Sequence, residues 1–380
     1  MAKTHAVPGL LKRINEREVL ETIRAGAPIS RAEISRRAGF SKPTVSLALQ
    51  SLLEARLVRE AEHGPDGPGY GAVYFEPAAE AALVLGLDLG ARFARGAVCD
   101  LAGTIRARQD VELTVADAAG AIDAISRLRR SLLETSALDP ALLDGVVVGV
   151  PGVVGDGGSL SLAENVAGLE GRSFASELRA ALDLPVTFEN DINLAALGEQ
   201  WQGVARGVAD FVFLSVGTGM GAGLVLGGEL HRGRHGAAGE IDFALAGLDE
   251  TLDPSAPQVT ALAEGLAGLT AEPRAVFGAA RNGNSGAQAV VDEIARRIAL
   301  HVAPIAAVAD VELVVLGGGI GANGDLLLGP VSRLLADWLP FPPRVEVSTL
   351  GEAAVLTGAV AVGLQAALEH VFTRRGAVPA

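Results

Sequence analysis

The chain has 380 residues, 49% hydrophobic and only 4% aromatic, with a formal net charge of −14 and a mean hydropathy of +0.35. That length and apolar content suffice for two or three domains, with cores packed mainly by Ala, Val, Leu and Ile. The one cysteine, Cys99, excludes an internal disulfide, and without a C-x-x-C pair a structural zinc has no thiolate site, a usage that fits a reducing cytoplasm.

The opening MAKTHAVPGLLKR lacks the apolar run of a signal peptide. The most apolar long stretch, His301 to Ile320, is interrupted by Pro304, Asp310 and Glu312, so no membrane span is expected and a cytoplasmic location is. Charge is unevenly placed. Residues 1–59 hold 11 Lys and Arg against 5 Asp and Glu, and the remainder holds 20 against 40. A basic head attracts DNA and an acidic body repels it.

Leu11 to Ala25 reads as a helix with Leu11, Ile14, Leu20 and Ile23 on one face and Gly26 as its stop. In the following PISRAEISRRAGFSKPTVSLALQSLLEARLVRE, Ser30 and Glu33 have capping-box spacing for a short helix through Arg37. Ala38-Gly39-Phe40 makes a turn, and Ser41 caps a third helix that tolerates Pro43 in its first turn and turns Val45, Leu49, Leu52 and Leu53 inward. Short helix, glycine turn and longer helix form a helix-turn-helix. The strand-like runs 57–60 and 72–75, joined by HGPDGPGYG, complete a winged helix. Ser41, Lys42, Thr44 and Ser46 are placed to face base edges, and Arg31, Arg36 and Arg37 to face phosphates. The plain alternative is a helical protein-interaction module with merely solvated charges. With no Lys or Arg between Arg59 and Arg92, insertion of the wing into a minor groove is not expected.

From Leu83 the pattern changes to buried strands and helices, and it repeats. LVLGLDLGARFARGAVCDL and, later, FVFLSVGTGMGAGLVLGGEL are each strand, glycine turn, strand. Two similar halves suggest two lobes facing a cleft, with one glycine turn on each able to grip a polyphosphate through backbone N–H groups. Asp88 and Gly90 mark the first turn, Gly217, Thr218, Gly219 and Gly221 the second, and Gly318 a third glycine run, LGGGI. The bland reading is that such glycines serve hairpin geometry. Between the turns, PVTFENDINLAALGEQW is a strand ending at Glu189-Asn190-Asp191 and then a helix. Asp191 is either the helix N-cap or a general base that takes a hydroxyl proton during phosphoryl transfer.

The order and spacing of ENDINLAALGE, SVGTGMGAGLVLGGELHRGRHGAAGEIDF and VVLGGGI resemble the ROK family (repressor, ORF, kinase), in particular its winged-helix transcriptional regulators, over nearly the whole chain. The resemblance implies an α/β fold: an N-terminal winged helix-turn-helix over residues 1–80, then a two-lobed actin-like/sugar-kinase body over 81–380. Lobe I would span about 81–189 plus a C-terminal helix near 355–375, and lobe II about 190–354. It also implies a homodimer or homotetramer. Carried over residue by residue, the sugar would be held by Gly152 of Pro151-Gly152, Asn165, Asn190, Asp191 and Glu240, with Asp191 catalytic only if kinase activity is retained.

Two departures stand out. Where the family continues G-E-I-G-H into a cysteine cluster, this chain has Gly239-Glu240-Ile241-Asp242-Phe243 and no cysteine, so no structural zinc and no metal is expected. His231 and His235 lie in a glycine-bounded loop that does not read as a metal site. Where the family has D-x-G-G-T, this chain has Asp88-Leu89-Gly90-Ala91-Arg92. This reads as a degraded phosphate turn with Arg92 in the anion's place; the alternative has Arg92 pointing into solvent. The expected function is a DNA-binding regulator, a repressor, that responds to a sugar or sugar derivative and needs no cofactor. The alternative is an ATP-dependent sugar kinase with an appended DNA-binding domain, for which Mg-ATP would bind the two turns. A third reading gives the body only a dimerising role.

Overall fold

The computed structural model describes residues 8–65, 72–163, 166–244 and 252–375, so the wing tip and Asn165 lie outside the described residues. The N-terminal head comprises α1 (Pro8–Gly26), β1 (Ile29–Ser30), α2 (Arg31–Ala38), α3 (Lys42–Glu54), β2 (Val58–Glu60) and β3 (Tyr74–Pro77), with an antiparallel sheet in the order β1-β3-β2. Local chemistry sets its joints. Ser30 Oγ accepts the Glu33 N–H and Ser41 Oγ the Thr44 N–H, each at 3.3 Å, and Gly39 closes α2 with φ +68°. The capping box is half made, because the Glu33 carboxylate turns to Arg36 and Arg37. The buried apolar face of α1 is Val19, Leu20 and Ile23; Leu11 and Ile14, expected inside, are about half exposed and lie outside that core. In α3, Ala48 joins Val45, Leu49 and Leu52 inside, while Leu53 is half-buried at the edge.

The body carries two five-stranded sheets of one topology. The first contains β4 (Leu83–Leu89), β5 (Phe93–Asp100), β6 (Ile105–Glu112), β7 (Leu143–Val150) and β10 (Val186–Asn190), in the order β10-β7-β4-β5-β6. Helices α4 (Ala118–Ser136) and α5 (Ser173–Leu182) cover one face, and a small ribbon of β8 (Val153–Val154) and β9 (Leu160–Ser161) follows β7. After α6 (Asp191–Gln202) come β11 (Phe211–Val216), β12 (Met220–Leu226) and β13 (Glu229–Leu230), then α7 (Ala256–Ala267), α8 (Pro273–Arg281) and α9 (Ser285–Ala309). The chain continues with β14 (Leu313–Gly317), the single turn α10 (Gly318–Gly321), α11 (Gly324–Trp338), β15 (Arg344–Val347) and the long α12 (Ala354–Arg375). The second sheet runs β13-β12-β11-β14-β15. In each sheet an antiparallel hairpin leads, and two parallel strands are added beside its first strand.

Helices α7, α8, α9 and α11 bury the outer face of the second sheet. The inner faces meet α6 and α12, which lie against each other between the sheets. Leu194 of α6 packs with Val147 and Ala359, while Ala195 and Ala196 pack with Phe211 and Phe213, so one helix joins both lobes. The α6–α12 crossing is close enough to need glycine: a Cβ at Gly358 would run into the Leu194 carbonyl. By length and composition Gly351–His370 could cross a bilayer, but its apolar side chains pack on β4, β7 and α6 and serve as core.

The head is not tethered by a free linker. Its core, Val19, Leu20, Ile23, Ile34, Leu49 and Phe75, continues without a break into Ala97 and Cys99 of β5, Leu356, Val360, Leu364 and Leu368 of α12, and Trp201 at the end of α6.

Candidate functional site

The cleft collects the carboxyl ends of the parallel strands, where open α/β sheets bind ligands. Asp88 near the end of β4 is in register with Gly149 of β7, and Asn190 ends β10 opposite Val150. In the second sheet the Gly217 turn at the end of β11 lies against Gly318-Gly319 at the end of β14, and a Cβ on Gly217 would sit 3.7 Å from the Gly319 N. Gly152 holds φ +84°, and a side chain there would strike the Leu162 and Ser161 carbonyls, so the loop after β7 folds this way only with glycine.

Asn190, not Asp191, is the cap of α6. Its Oδ1 accepts the Asn193 N–H at 2.9 Å and its Nδ2 donates to the Gly152 carbonyl at 2.9 Å, which ties the β7 loop to the helix start. Asp191 is thereby released from capping and takes the Ile192 N–H at 2.8 Å. Burial, reinforced by the charges of Asp88 and Glu240, pushes its carboxyl up to about 7. Glu240, half-buried in the loop beyond β13, is also pushed up by burial. These three acids therefore share one electrostatic environment. Glu189, buried beside them, accepts Asn190 N–H at 3.0 Å and Asn193 Nδ2 at 2.9 Å, and pairs with Arg232 at 2.7 Å. That pair fastens the loop of lobe II carrying Glu240 to the end of β10 in lobe I.

Each glycine turn has a charged side chain beside it. Asp88 is buried, which raises its carboxyl, and it is held by Arg95 Nη1 at 3.2 Å across the β4–β5 ladder. Arg95 also reaches Asp110 at 3.6 Å and Glu352 at 3.8 Å. Arg92 does not take an anion's place: it is exposed and stacks 5.6 Å over Phe93, while Gly90 N–H closes the turn on the Phe93 carbonyl at 2.9 Å. In the second turn Thr218 and Gly219 are exposed, and an Asp242 carboxylate oxygen lies 3.9 Å from where a Cβ on Gly219 would sit. Burial and the charge of Asp253 raise Asp242 to about 6. Arg95 and Asp242 were not legible as site residues, although Asp242 stands where the resembling motif has glycine.

Phe243 is 62% exposed and His231 and His235 are exposed. Among the described residues no group of three or more His, Cys, Asp or Glu is arranged to hold a metal.

In the head, Ser41, Lys42 and Arg31 are exposed and Thr44 and Ser46 half-exposed. Ser41 Oγ and Thr44 Oγ1 share a hydrogen bond of 2.8 Å, and Arg31 lies 6.0 Å over Phe75. Arg36 and Arg37 pair with Glu33 at 2.5 and 2.6 Å, which holds both guanidinium groups and pulls the Glu33 carboxyl down to about 2. Their i, i+3 and i, i+4 spacing from Glu33 was the available signal. Sequence reasoning also missed Leu47, 69% exposed on α3 opposite the buried stripe, where an apolar side chain suits a thymine methyl.

Comparison with known proteins agrees with this architecture. The ROK family pattern matches residues 84–368, and the MarR family pattern matches residues 11–67. The chain belongs to the ROK family and carries a MarR-type winged helix at its N-terminal end. It is 26% identical to the xylose repressor of Caldicellulosiruptor bescii, over 93% of this chain and 96% of that protein. It is 32% identical to the N-acetylmannosamine kinase of Escherichia fergusonii, over 72% of this chain and 98% of the kinase. Among solved structures, a ROK family transcriptional regulator described as a homologue of the E. coli MLC protein superposes with a TM-score of 0.79 at 21% identity, over 96% of this chain and 98% of that one. The ROK glucokinase of Streptomyces griseus, solved with glucose and AMPPNP, superposes with a TM-score of 0.63 at 27% identity, over 75% of this chain and all of that one.

Proposed function

We infer that the chain is a transcriptional repressor whose winged helix holds operator DNA and whose cleft responds to a sugar or sugar derivative. The observation that carries this reading is the path of α6. The helix begins at Asn190 and Asp191 in the cleft and ends just past Trp201, which packs against the core shared with the head. Its 12 residues form one stiff rod of about 18 Å. A ligand that preferred one closure of the lobes would shift this rod and with it the head, so differential affinity for two closures becomes differential affinity for DNA. The xylose repressors that align with almost the whole chain support repression, with sugar as the relieving signal.

In this reading Asn190, Asp191, Glu240 and the Gly152 loop hold sugar hydroxyls, together with Asn165. A site of carboxylates and amides discriminates for ligands whose hydroxyls match its hydrogen-bonding groups, because a mismatched polar group is costly to desolvate. Lys42, Ser41, Thr44, Ser46 and Leu47 read base edges, and Arg31 holds a phosphate. Two copies would read two half-sites, in a homodimer or a homotetramer.

A second reading, a sugar kinase, is favoured by Asp191, half-buried and near 7, the range of a general base. Mg-ATP fits the two turns poorly, since Arg95 holds Asp88 and the Asp242 carboxylate stands beside Gly219, where it would repel a phosphate. The test is fluorescence anisotropy on duplexes that the protein itself selects from a random library, titrated with pentoses, hexoses and amino sugars. The repressor reading expects one sugar class to weaken DNA binding at least tenfold, and Asn190→Ala to abolish that response while leaving sugar-free binding intact. DNA affinity unmoved by every sugar, together with ATP turnover lost in Asp191→Asn, would establish the kinase instead.

A further inference from the structure

Beside the head lies a cavity of about 330 Å³ that is separate from the cleft. Three helices wall it: α1 with Arg17, Glu21 and Arg24, the last turn of α6 with Gln200 and Trp201, and α12 with Gln365. Its chemistry is unbalanced. Arg17 is engaged by Glu21 and Glu369, each at 3.2 Å. Arg24 is not: among the described residues it makes no ion pair, and its buried Nε has no hydrogen-bond partner. The acids whose charge it feels are Glu21, held by Arg17, and Asp100, held by Arg106 at 3.1 Å and the Thr104 N–H at 3.0 Å. Burial accordingly lowers the Arg24 pKa. A half-buried guanidinium whose inner Nε has no partner is costly to desolvate, and its planar donors suit a carboxylate or a phosphate. The indole of Trp201 offers an apolar wall, and the Gln365 amide a polar partner.

We propose that this cavity is a second, anion-accepting site: the carboxylate or phosphate of a small organic acid or sugar phosphate pairs with Arg24 while its body lies against Trp201. The site stands at the junction of head, α6 and α12, so an occupant would bear on the same helices that join cleft to DNA. That regulatory consequence rests on the repressor reading; the binding itself does not.

The experiment uses full-length protein carrying Trp338→Phe, which leaves Trp201 as the only indole. Tryptophan emission is titrated with a hexose phosphate, gluconate, inorganic phosphate and neutral glucose. The proposal expects a saturable change with the hexose phosphate or gluconate, at least tenfold weaker affinity for inorganic phosphate, and no change with glucose. Which of the two organic anions binds tighter assigns phosphate or carboxylate. Arg24→Met and Arg24→Gln should each lose at least tenfold in affinity while keeping sugar-free DNA binding, which controls for folding. Absence of a saturable change with every anion, or a response unaltered in both Arg24 variants, overturns the site. Neither result bears on the cleft, whose sugar response is read separately through DNA affinity.

Discussion

The same functional group behaves oppositely at the two ends of this molecule. In the head, the Glu33 carboxylate faces solvent between two arginines and is pulled down to about 2. In the cleft, the half-buried Asp191 carboxylate feels the charges of other acids, Asp88 and Glu240, and is pushed up to about 7. The difference follows from what each region faces. A surface that meets a polyanion works with exposed, hydrated cations, whose effects are screened by salt. A partly buried cleft works with carboxyls that desolvation and like charge hold protonated to higher pH, and salt screens such groups less.

The largest expected effect comes from separating the two regions. Gly358→Val puts a branched side chain into the Leu194 carbonyl where α6 crosses α12, so unfolding in urea should show a loss of about 3 kcal/mol and the sugar response of DNA binding should disappear. If that response survives intact, α6 is not the route from cleft to head.

Arg95→Met strips Asp88 of its strong partner inside the first turn. A loss of about 2 kcal/mol is expected from the same denaturation measurement, with most of it recovered in the Arg95→Met/Asp88→Asn double variant. A single-variant loss that the double variant does not recover would mean that Arg95 acts by packing on Phe93, 5.8 Å away, rather than by charge.

Asp191→Asn sharpens the electrostatic contrast. The carboxyl's ordinary value is 3.8 and the folded value about 7, so between them the folded state holds a proton that the unfolded state has released. Stability should therefore fall as pH rises through that window and stay low above it. The asparagine variant should lose this slope, melting with the parent at the acid end and above it at the alkaline end. Parallel melting curves across the window would show that Asp191 ionises normally.

The smallest effect belongs to the head. Glu33→Gln frees Arg36 and Arg37 for phosphates, so DNA affinity should rise a few fold, and the slope of log affinity against log salt should steepen by about 1 for each new contact. Salt titrations by anisotropy check this, and an unchanged slope would place both arginines away from DNA.

The sequence by itself determined the helix caps at Ser30 and Ser41, the αL turn at Gly39, the two strand–turn–strand units and the order of site motifs. Each is set within a few residues by backbone geometry, side-chain reach or hydrophobic period, which a linear reading can follow. The Glu33 pairing with Arg36 and Arg37 is equally local and was open to the same reasoning. Tertiary structure alone decided that Leu11 and Ile14 stay exposed, because the partner surface for α1 comes from residues far along the chain. It alone brought Arg95 onto Asp88 and Asp242 beside Gly219, and it gave the cap to Asn190 so that Asp191 faces the cleft. It also drew α1, Trp201 and α12 into one core around the unpaired Arg24. Charge balance and burial depend on neighbours that only folding assembles, and the perturbed groups of this protein are set by them.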